Sequence, residues 1–376
     1  MSLSSSEEYY GRRGLRGFAR DLRWALQDRT PIPFNSRLKA TRAGFKPVSA
    51  VAYDFQRNDP RDYLPDTSWL PLAKTNGPAA WEILANKLLF YREFSDELPL
   101  PRVYAYMAAG HLVPVAAANG ASRSTRSGES SAAREAPAIS SLAGVLDHLC
   151  QHGSLVVKPM GGDRGRGVHL LEARDGEYLK DCRPLSKGEL VEFLGRRDGS
   201  LFVEKVDQAA YSKQIFPDAS NSLRLMVFGG AGTANSPFMP VAVHRFGRNS
   251  SIPVDNTAKG GLASPVDPRT GVLAQCRLLA PGAPRYQHYD RHPDSGAVVA
   301  GVEVPGFADV VEALLDFSRR HPYLAYVGWD IINTESGFMV LEANHHASLR
   351  TQVGHPYLKD ERIVSYLAHH GLLPRR

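Results

Sequence analysis

The stretch GWDIINTESGFMVLEANHHASLR, residues 328–350, sets two apolar runs about a polar turn. The first run is Trp329 to Asn333, with Asp330 at its head. Thr334, Glu335, Ser336 and Gly337 supply the turn, and Phe338 to Leu341 form the second run, with Glu342 and Asn344 just past it. Turn formers between two strand-like runs specify a hairpin. Its closure sets Asp330 beside Glu342 and Asn344. The latter two are two residues apart and share one side of an extended chain. Two carboxylates and an amide oxygen at a strand end suit a hard cation: Mg²⁺ takes oxygen ligands, commonly one or two carboxylates, and fills its other positions with phosphates and water. Asp330, Glu342 and Asn344 are therefore the candidate metal ligands.

Upstream, Ser154 to Pro159 (SLVVKP) reads as a strand that ends in Lys158. The run Gly161-Gly162-Asp163-Arg164-Gly165-Arg166-Gly167 follows, and then a second strand, Val168 to Leu171. Glycine backbone amides have no Cβ to block the approach of phosphate oxygens, and a lysine holds a phosphate as a point charge. The loop lacks the Gly-Lys-Ser/Thr of a P-loop, and a strand rather than a helix follows it, which argues against a dinucleotide fingerprint.

The remaining chain supplies the frame. Residues 4–28 carry Leu15, Phe18, Leu22 and Leu26 at helical spacing among arginines, and Pro31 and Pro33 end that pattern. Residues 44–72 are short apolar pieces broken by prolines and receive no assignment. Pro78 opens a helical pattern through Phe94, with Asn86-Lys87 inside it, and Val103 to Tyr106 reads as a strand. Residues 116–138 are small, polar and aperiodic, as in a flexible loop. Ser140 is placed as the cap of a helix through Leu149. Leu201 to Val206 and Ser222 to Phe228 read as strands, the latter carrying Arg224; Phe238 to Phe246 is a strand with His244 and Arg245. Residues 251–266 read as a polar glycine loop, residues 307–320 as an amphipathic helix and residues 360–369 as a short terminal helix. The divisions expected are an N-terminal helical or irregular segment 1–76, a linking helical part 77–150, a smaller unit 151–206 with the glycine loop, and a larger unit 207–376 with the metal site.

Totals set bounds on function. A chain of 376 residues exceeds one small core, and 43% hydrophobic with 22% charged residues fits a globular protein. The net charge is +6, with arginines and lysines crowded between Arg12 and Lys46. Such a segment reads as a solvated helix face or as a surface for an acidic partner. Cys150, Cys182 and Cys276 are too dispersed for a disulfide frame or a zinc site, which points to a reducing compartment. No apolar run approaches the ~20 residues of a membrane helix, and no signal-peptide core opens the chain. The expectation is a cytoplasmic protein with no transmembrane segment and no base-specific nucleic-acid recognition; a homodimer stays open.

In order, the chain offers Lys87, Lys158 with its glycine loop, a strand ending in Glu204-Lys205, a Ser-Leu-Arg strand with Arg224, and Asp330…Glu342-x-Asn344. This succession resembles the ATP-grasp superfamily. The run Ile252-Pro253-Val254-Asp255-Asn256…Gly260-Gly261, with Asp267…Thr270-Gly271, His292-Pro293, Val304-Pro305 and Gly328-Trp329-Asp330, resembles its sugar-transfer-associated family. The resemblance implies an α+β fold in which two α+β subdomains grip ATP, here with an additional N-terminal segment. It implies that Lys87 and Lys158 meet the α- and β-phosphates, and that Gly161, Gly162, Gly165 and Gly167 close over them. It further implies that Glu204, Lys205 and Val206 border adenine, that Asp207 or Gln208 meets ribose, and that Asp330, Glu342 and Asn344 hold Mg²⁺. One position departs: many amide-forming ATP-grasp ligases carry an arginine two residues before the metal aspartate, where this chain has Gly328. Arg224 and Arg245 are then the candidate catalytic residues, since guanidinium matches a phosphate or a carboxylate bidentately.

The activity implied is an ATP- and Mg²⁺-dependent joining of a small-molecule carboxylate to an amine or thiol through an acyl phosphate, in a cell-surface polysaccharide or secondary biosynthetic pathway. Two alternatives stand beside it: a kinase that phosphorylates a hydroxyl or sugar, and a non-catalytic nucleotide-binding partner of a glycosyltransferase, docked through the basic N-terminus.

Overall fold

The computed structural model describes residues 15–28, 30–116, 138–162, 167–230, 236–280, 283 and 285–373. Helices and two antiparallel seven-stranded sheets make an α+β fold. The first sheet contains β1 (Val103–Ala108), β2 (His111–Pro114), β3 (Ser154–Pro159), β4 (His169–Arg174), β5 (Glu177–Lys180), β6 (Arg183–Leu185) and β7 (Ser200–Val203), in the order β2-β1-β7-β3-β4-β5-β6. The second contains β8 (Ser222–Phe228), β9 (Phe238–Phe246), β10 (Leu262–Val266), β11 (Cys276–Leu278), β12 (Gln287–Tyr289), β13 (Tyr326–Thr334) and β14 (Gly337–Asn344), in the order β12-β11-β10-β9-β8-β13-β14.

Period-two alternation decides what each sheet buries. On β3, Leu155 and Val157 join Leu171 and Phe202 in a core with the helices Leu142–His152 and Lys187–Gly195, which leaves Val156 and Lys158 on the opposite face. On β8, Leu223, Leu225 and Val227 turn inward with Val327, Trp329 and Ile331 of β13, against Phe90, Phe94 and Phe317 of the helices Lys87–Phe94 and Phe307–Arg320. Ser222, Arg224 and Asp330 are left on the other face. A cavity of about 610 Å³ lies between these two remaining faces.

Several local expectations shift. The pattern read as one helix from Pro78 divides into Gly77–Ala85 and Lys87–Phe94. Asn86 adopts an extended backbone between them and its side chain accepts from the N–H groups of Leu88 and Leu89, the work of an N-cap. Lys87 is thereby set at a helix start, where its N–H donates to Met160 O at 2.9 Å. Ser141, not Ser140, caps Leu142–His152 by accepting from Gly144 N. Within the span read as a polar loop, Leu262–Val266 is a strand, paired on both edges with β9 and β11. The expected strand Leu201 to Val206 ends at Val203, and Glu204 to Val206 follow without regular secondary structure. The N-terminal helix occupies Leu15–Gln27; Leu26 is 63% exposed while Asp21 and Ala25 are buried, so the expected stripe does not face the protein at that point. Residues 4–14 and nearly all of the small-residue segment 116–138 lie outside the described residues.

The N-terminal segment is built into the body. Tyr53 Oη donates to Leu349 O at 2.9 Å. Leu64 N donates to Gln352 Oε1 at 2.7 Å, while Gln352 Nε2 donates back to Leu64 O at 3.0 Å. Trp69 Nε1 donates to Ala347 O at 2.8 Å. Buried Asn76 serves both polar groups of Tyr326 at the start of β13, donating to its carbonyl at 2.8 Å and accepting from its N–H at 2.9 Å. An Asn76→Ala substitution strips both partners at once and is expected to lower the unfolding free energy by about 2–3 kcal/mol in chemical denaturation. A loss below about 0.5 kcal/mol would mean that this contact does not hold the segment to the sheet.

Candidate functional site

The sheet registers lay out the cavity floor. Glu342 of β14, Asp330 of β13, Arg224 of β8, Val243 of β9 and Pro265 of β10 are successive cross-strand partners. A second row, two residues along, runs Ser222, Arg245, Ala263 and Arg277 across β8 to β11. Every one of these residues lines the cavity.

Thr334 pairs with Gly337, so Glu335 and Ser336 form the hairpin loop, one residue shorter at each end than the turn read from sequence. Asp330 faces Glu342, and Asn344 lies opposite Gly328. Between Asp330 and Ile331 the ladder is irregular, because Ile331 pairs with Val340 and Leu341 is left over. That bulge has a consequence. Val340 and Glu342 are two apart and would share a face in a regular strand, yet Val340 is fully buried in the core while Glu342 lines the cavity. The extra residue lets one strand satisfy both demands.

Asp330 is 3% exposed and takes a bidentate pair from Arg224: Nε donates to Oδ1, and Nη2 donates to Oδ2 at 2.8 Å. Arg245 Nη2 lies 3.1 Å from Asp330 Oδ2. Burial alone would raise the Asp330 carboxyl, but Arg224 and then Arg245 hold it well below the ordinary carboxylate range. Arg245 also donates from Nη2 to Ser222 Oγ at 2.5 Å, and its Nε is 3.6 Å from Asp255 Oδ2. Burial opposes its charge, while Asp255, Asp330 and Glu342 hold its pKa above the ordinary value. Burial pushes the Asp255 carboxyl up against the pull of Arg245 and of Ser222.

Asn344 Nδ2 donates to Asp330 Oδ2 at 3.4 Å and to Glu342 Oε1 at 3.3 Å, so the three candidate ligands converge. Among the described residues no group of three or more His, Cys, Asp or Glu side chains is arranged to hold a metal. The donor set here is two carboxylates and an amide, which suits a hard cation that keeps phosphate and water in its shell. Glu342 also pairs with Lys87 at 3.3 Å, and Lys87 Nζ donates to Gly162 O at 3.1 Å. Lys158 Nζ donates to Leu341 O at 3.4 Å. Burial, followed by the charge of Lys87, lowers its pKa to about 8, with Glu342 pulling the other way. The two lysines therefore stand together beside the metal candidates.

Of the glycine loop, Gly161 and Gly162 line the cavity. Gly167 has φ +71°, and a Cβ there would come within 3.1 Å of Pro159 Cγ, so the hairpin needs glycine at that point. Gly165 lies outside the described residues. Glu204, Lys205, Val206 and Asp207 border the cavity. Glu204 Oε2 accepts from Arg102 N at 3.0 Å, Lys205 pairs with Glu172 at 3.3 Å, and the exposed Asp207 lies 3.8 Å from Lys213. Gln208 differs. Its side chain donates to the carbonyls of Phe216 and Ala219 and accepts from Ser212 Oγ and Asn221 N.

Residues not singled out from sequence complete the lining: Glu172 and Cys182 on the first sheet's side, Lys46, Asp66 and Trp69 from the N-terminal segment, and Arg277 and Arg350 from the second sheet's side. His346 stacks on Trp69 with ring centres 3.6 Å apart, and His345 packs on Trp81. The missing arginine at position 328 also finds its explanation. A Cβ on Gly328 would meet Ala347 Cβ at 2.7 Å and Arg224 Cδ at 3.4 Å. Ala347, together with Met226 Sδ at 3.2 Å, occupies the space that a side chain at 328 would need, while Arg224 is only at ordinary contact distance.

Residues 72–362 match the family model described as sugar-transfer associated ATP-grasp. The chain belongs to that family. Among solved structures, D-cycloserine synthetase DcsG shares 10% identity over 94% of this chain and 92% of its own, with a TM-score of 0.39. The ATP-grasp ligase PsnB shares 15% over 79% of this chain and 61% of its own, with a TM-score of 0.38. D-alanine–D-alanine ligase from Bacillus anthracis shares 13% over 77% and 69%, with a TM-score of 0.35. The chain thus spans about three fifths of the length of PsnB. No curated protein matches it. Among the described residues no helix is long and apolar enough to cross a membrane.

Proposed function

We propose that the protein is an ATP- and Mg²⁺-dependent ligase that joins a carboxylate to an amine or thiol through an acyl phosphate. The observation that carries this reading is the place of Arg224 and Arg245: they stand on the cavity floor, anchored on Asp330, between the Glu342–Lys87 pair on one side and Arg277 on the other.

In this reading Lys87, Lys158 and the backbone at Gly161 and Gly162 hold the nucleotide phosphates. Glu204, Lys205 and Val206 border the base, and Asp207 the ribose. Asp330, Glu342 and Asn344 would hold Mg²⁺, which when bound supplies charge stabilisation to the phosphates. Arg245, fixed by Ser222 and Asp330, presents its remaining N–H groups to the substrate carboxylate. The attacking carboxylate oxygen bonds to the γ-phosphorus as the bond to ADP breaks; an amine or thiol then attacks the acyl carbon and phosphate leaves. Phosphoryl transfer asks the protein mainly for positioning and charge neutralisation, and two anchored guanidinium groups are pre-oriented for both. Membership of a sugar-transfer-associated family supports a place in cell-surface polysaccharide or related secondary biosynthesis.

The test is ADP and phosphate release from Mg-ATP with pooled carboxylates and hydroxylamine, run beside pooled sugars and alcohols. Equal ADP and phosphate with a hydroxamate is the expected result. ADP with a phosphorylated hydroxyl compound and no free phosphate would replace the ligase by a kinase. A pathway function that survives Asp330→Ala and Glu342→Ala would make the protein a nucleotide-binding scaffold instead.

A further inference from the structure

Past Arg245 the floor continues toward the N-terminal segment. Arg245, Ala263 and Arg277 are cross-strand neighbours on β9, β10 and β11, so their side chains leave the same face. Strands sit ~4.8 Å apart, which separates the Cα atoms of Arg245 and Arg277 by roughly 10 Å. Ala263 between them contributes only a methyl group and leaves a trough.

The two arginines differ in their partners. Arg245 is anchored on Ser222 and Asp330. Arg277 is half-buried, its Nε is fully enclosed with no hydrogen-bond partner, and among the described residues no carboxylate pairs with it. Burial lowers its pKa, with only the hydroxyls of Tyr286 and Tyr63 pulling the other way. A guanidinium withdrawn from water without a counter-charge is unfavourable, and an anion from outside the chain is the group that would offset it. Arg350, in the 3-10 turn Leu349–Gln352 beyond β14, lines the same cavity as Arg277. Arg350 is exposed and makes no ion pair among the described residues. Across the chamber, Lys46 sets its ammonium 5.8 Å from the Trp69 ring centre. Asp66, the carboxylate on that wall, is engaged by the Lys46 N–H at 2.7 Å and by Ser49; the charge of Arg350 also acts on it, but without an ion pair between the two among the described residues.

We propose that Arg277 and Arg350 form an anion subsite for the distal phosphate or carboxylate of an elongated substrate that carries at least two anionic groups, its reacting carboxylate lying at Arg245. The reacting end of this assignment rests on the ligase reading above. The N-terminal segment, which supplies Lys46 and Trp69, is then a wall of the acceptor chamber.

The experiment is calorimetric titration of the whole protein, saturated with ADP and Mg²⁺ so that the nucleotide site is filled. Two ligand pairs are compared, 6-phosphogluconate against gluconate and adipate against hexanoate. Each pair differs by the distal charge. In at least one pair the ligand with the distal anionic group should bind tenfold or more tightly than its control; the pair that shows this tells phosphate from carboxylate. The preference should fall below about threefold in Arg277→Gln and in Arg350→Gln, and should persist in Arg277→Lys. Arg350 is exposed, so its variant keeps the test valid if Arg277→Gln folds poorly. Equal affinities within both pairs, or a preference that survives both Gln variants, would overturn the proposal. ADP affinity, read on the same samples, reports the nucleotide site separately, so loss of the preference with ADP binding intact falls on the subsite alone.

Discussion

Asp330→Asn is expected to abolish turnover and to lower the unfolding free energy by about 3–5 kcal/mol, the range for removing one partner of a buried ion pair. Glu342→Gln is expected to abolish turnover while shifting stability by less than about 1 kcal/mol, because its pair with Lys87 is partly exposed. The contrast follows from geometry. Asp330 is enclosed and takes charge from Arg224 on both oxygens and from Arg245 on one. Its removal leaves Arg224 without its bidentate partner and Arg245 with only Asp255, 3.6 Å away, and the charge of Glu342. Glu342 meets one lysine at the edge of the cavity. ADP release and urea unfolding on the same preparations measure both effects. If the two variants lost equal stability, Asp330 would not be the anchor of the arginines.

Lys158→Met is expected to weaken ADP binding by about 30- to 100-fold, the loss of one charge-assisted contact worth about 2–3 kcal/mol. The same change should stabilise the ligand-free protein by about 1 kcal/mol, since Lys158 is half-buried and, among the described residues, donates only to the Leu341 carbonyl and makes no ion pair. A pH signature separates this from a simple packing effect. The Lys158 pKa is lowered to about 8, so its ammonium is mostly charged at pH 7 and mostly neutral at pH 9. ADP needs the charged form, and apparent affinity falls with the charged fraction. Wild-type affinity should therefore drop about tenfold between pH 7 and pH 9, and the Met variant should lose that slope. In the ligand-free fold the sign is reversed: a depressed lysine pKa makes folding release a proton, so the penalty of burying Lys158 is present below about pH 8 and fades as pH rises toward the ordinary lysine value. Titrations at three pH values with both proteins decide the matter. A flat wild-type profile would remove Lys158 from the nucleotide site.

The hairpin 328–350 was legible because its signal is local. Turn residues, two apolar runs and the Asp…Glu-x-Asn spacing all fall within a few residues of one another, and a hairpin has little freedom to pair otherwise. Alternation on Ser222 to Phe228 likewise announced that Arg224 faces away from Leu223 and Leu225, as the core shows. The bulge at Leu341 was not legible. Nothing in the run Val340-Leu341-Glu342 marks the extra residue; it is imposed by the need to bury Val340 and expose Glu342 at once. The strand Leu262–Val266 was lost for a similar reason. Gly260 and Gly261 just before it and Pro265 within it argue for a loop, and two neighbouring strands override them.

By itself the sequence determined the family-level fold, the strand-borne lysine, the arginines of β8 and β9 and the Asp–Glu–Asn set, because each is written in short-range pattern and in the order of elements along the chain. Only the tertiary structure decided what surrounds them. Lys46 and Trp69 lie more than two hundred residues before Arg277 and Arg350, and no spacing along the chain encodes their meeting in one chamber. The charge on Asp330 was likewise decided in three dimensions. A carboxylate at a strand end reads as a metal ligand, but adjacent strands bring it two guanidinium groups, and the electrostatics of a buried site depend on distance in space, not on separation in sequence.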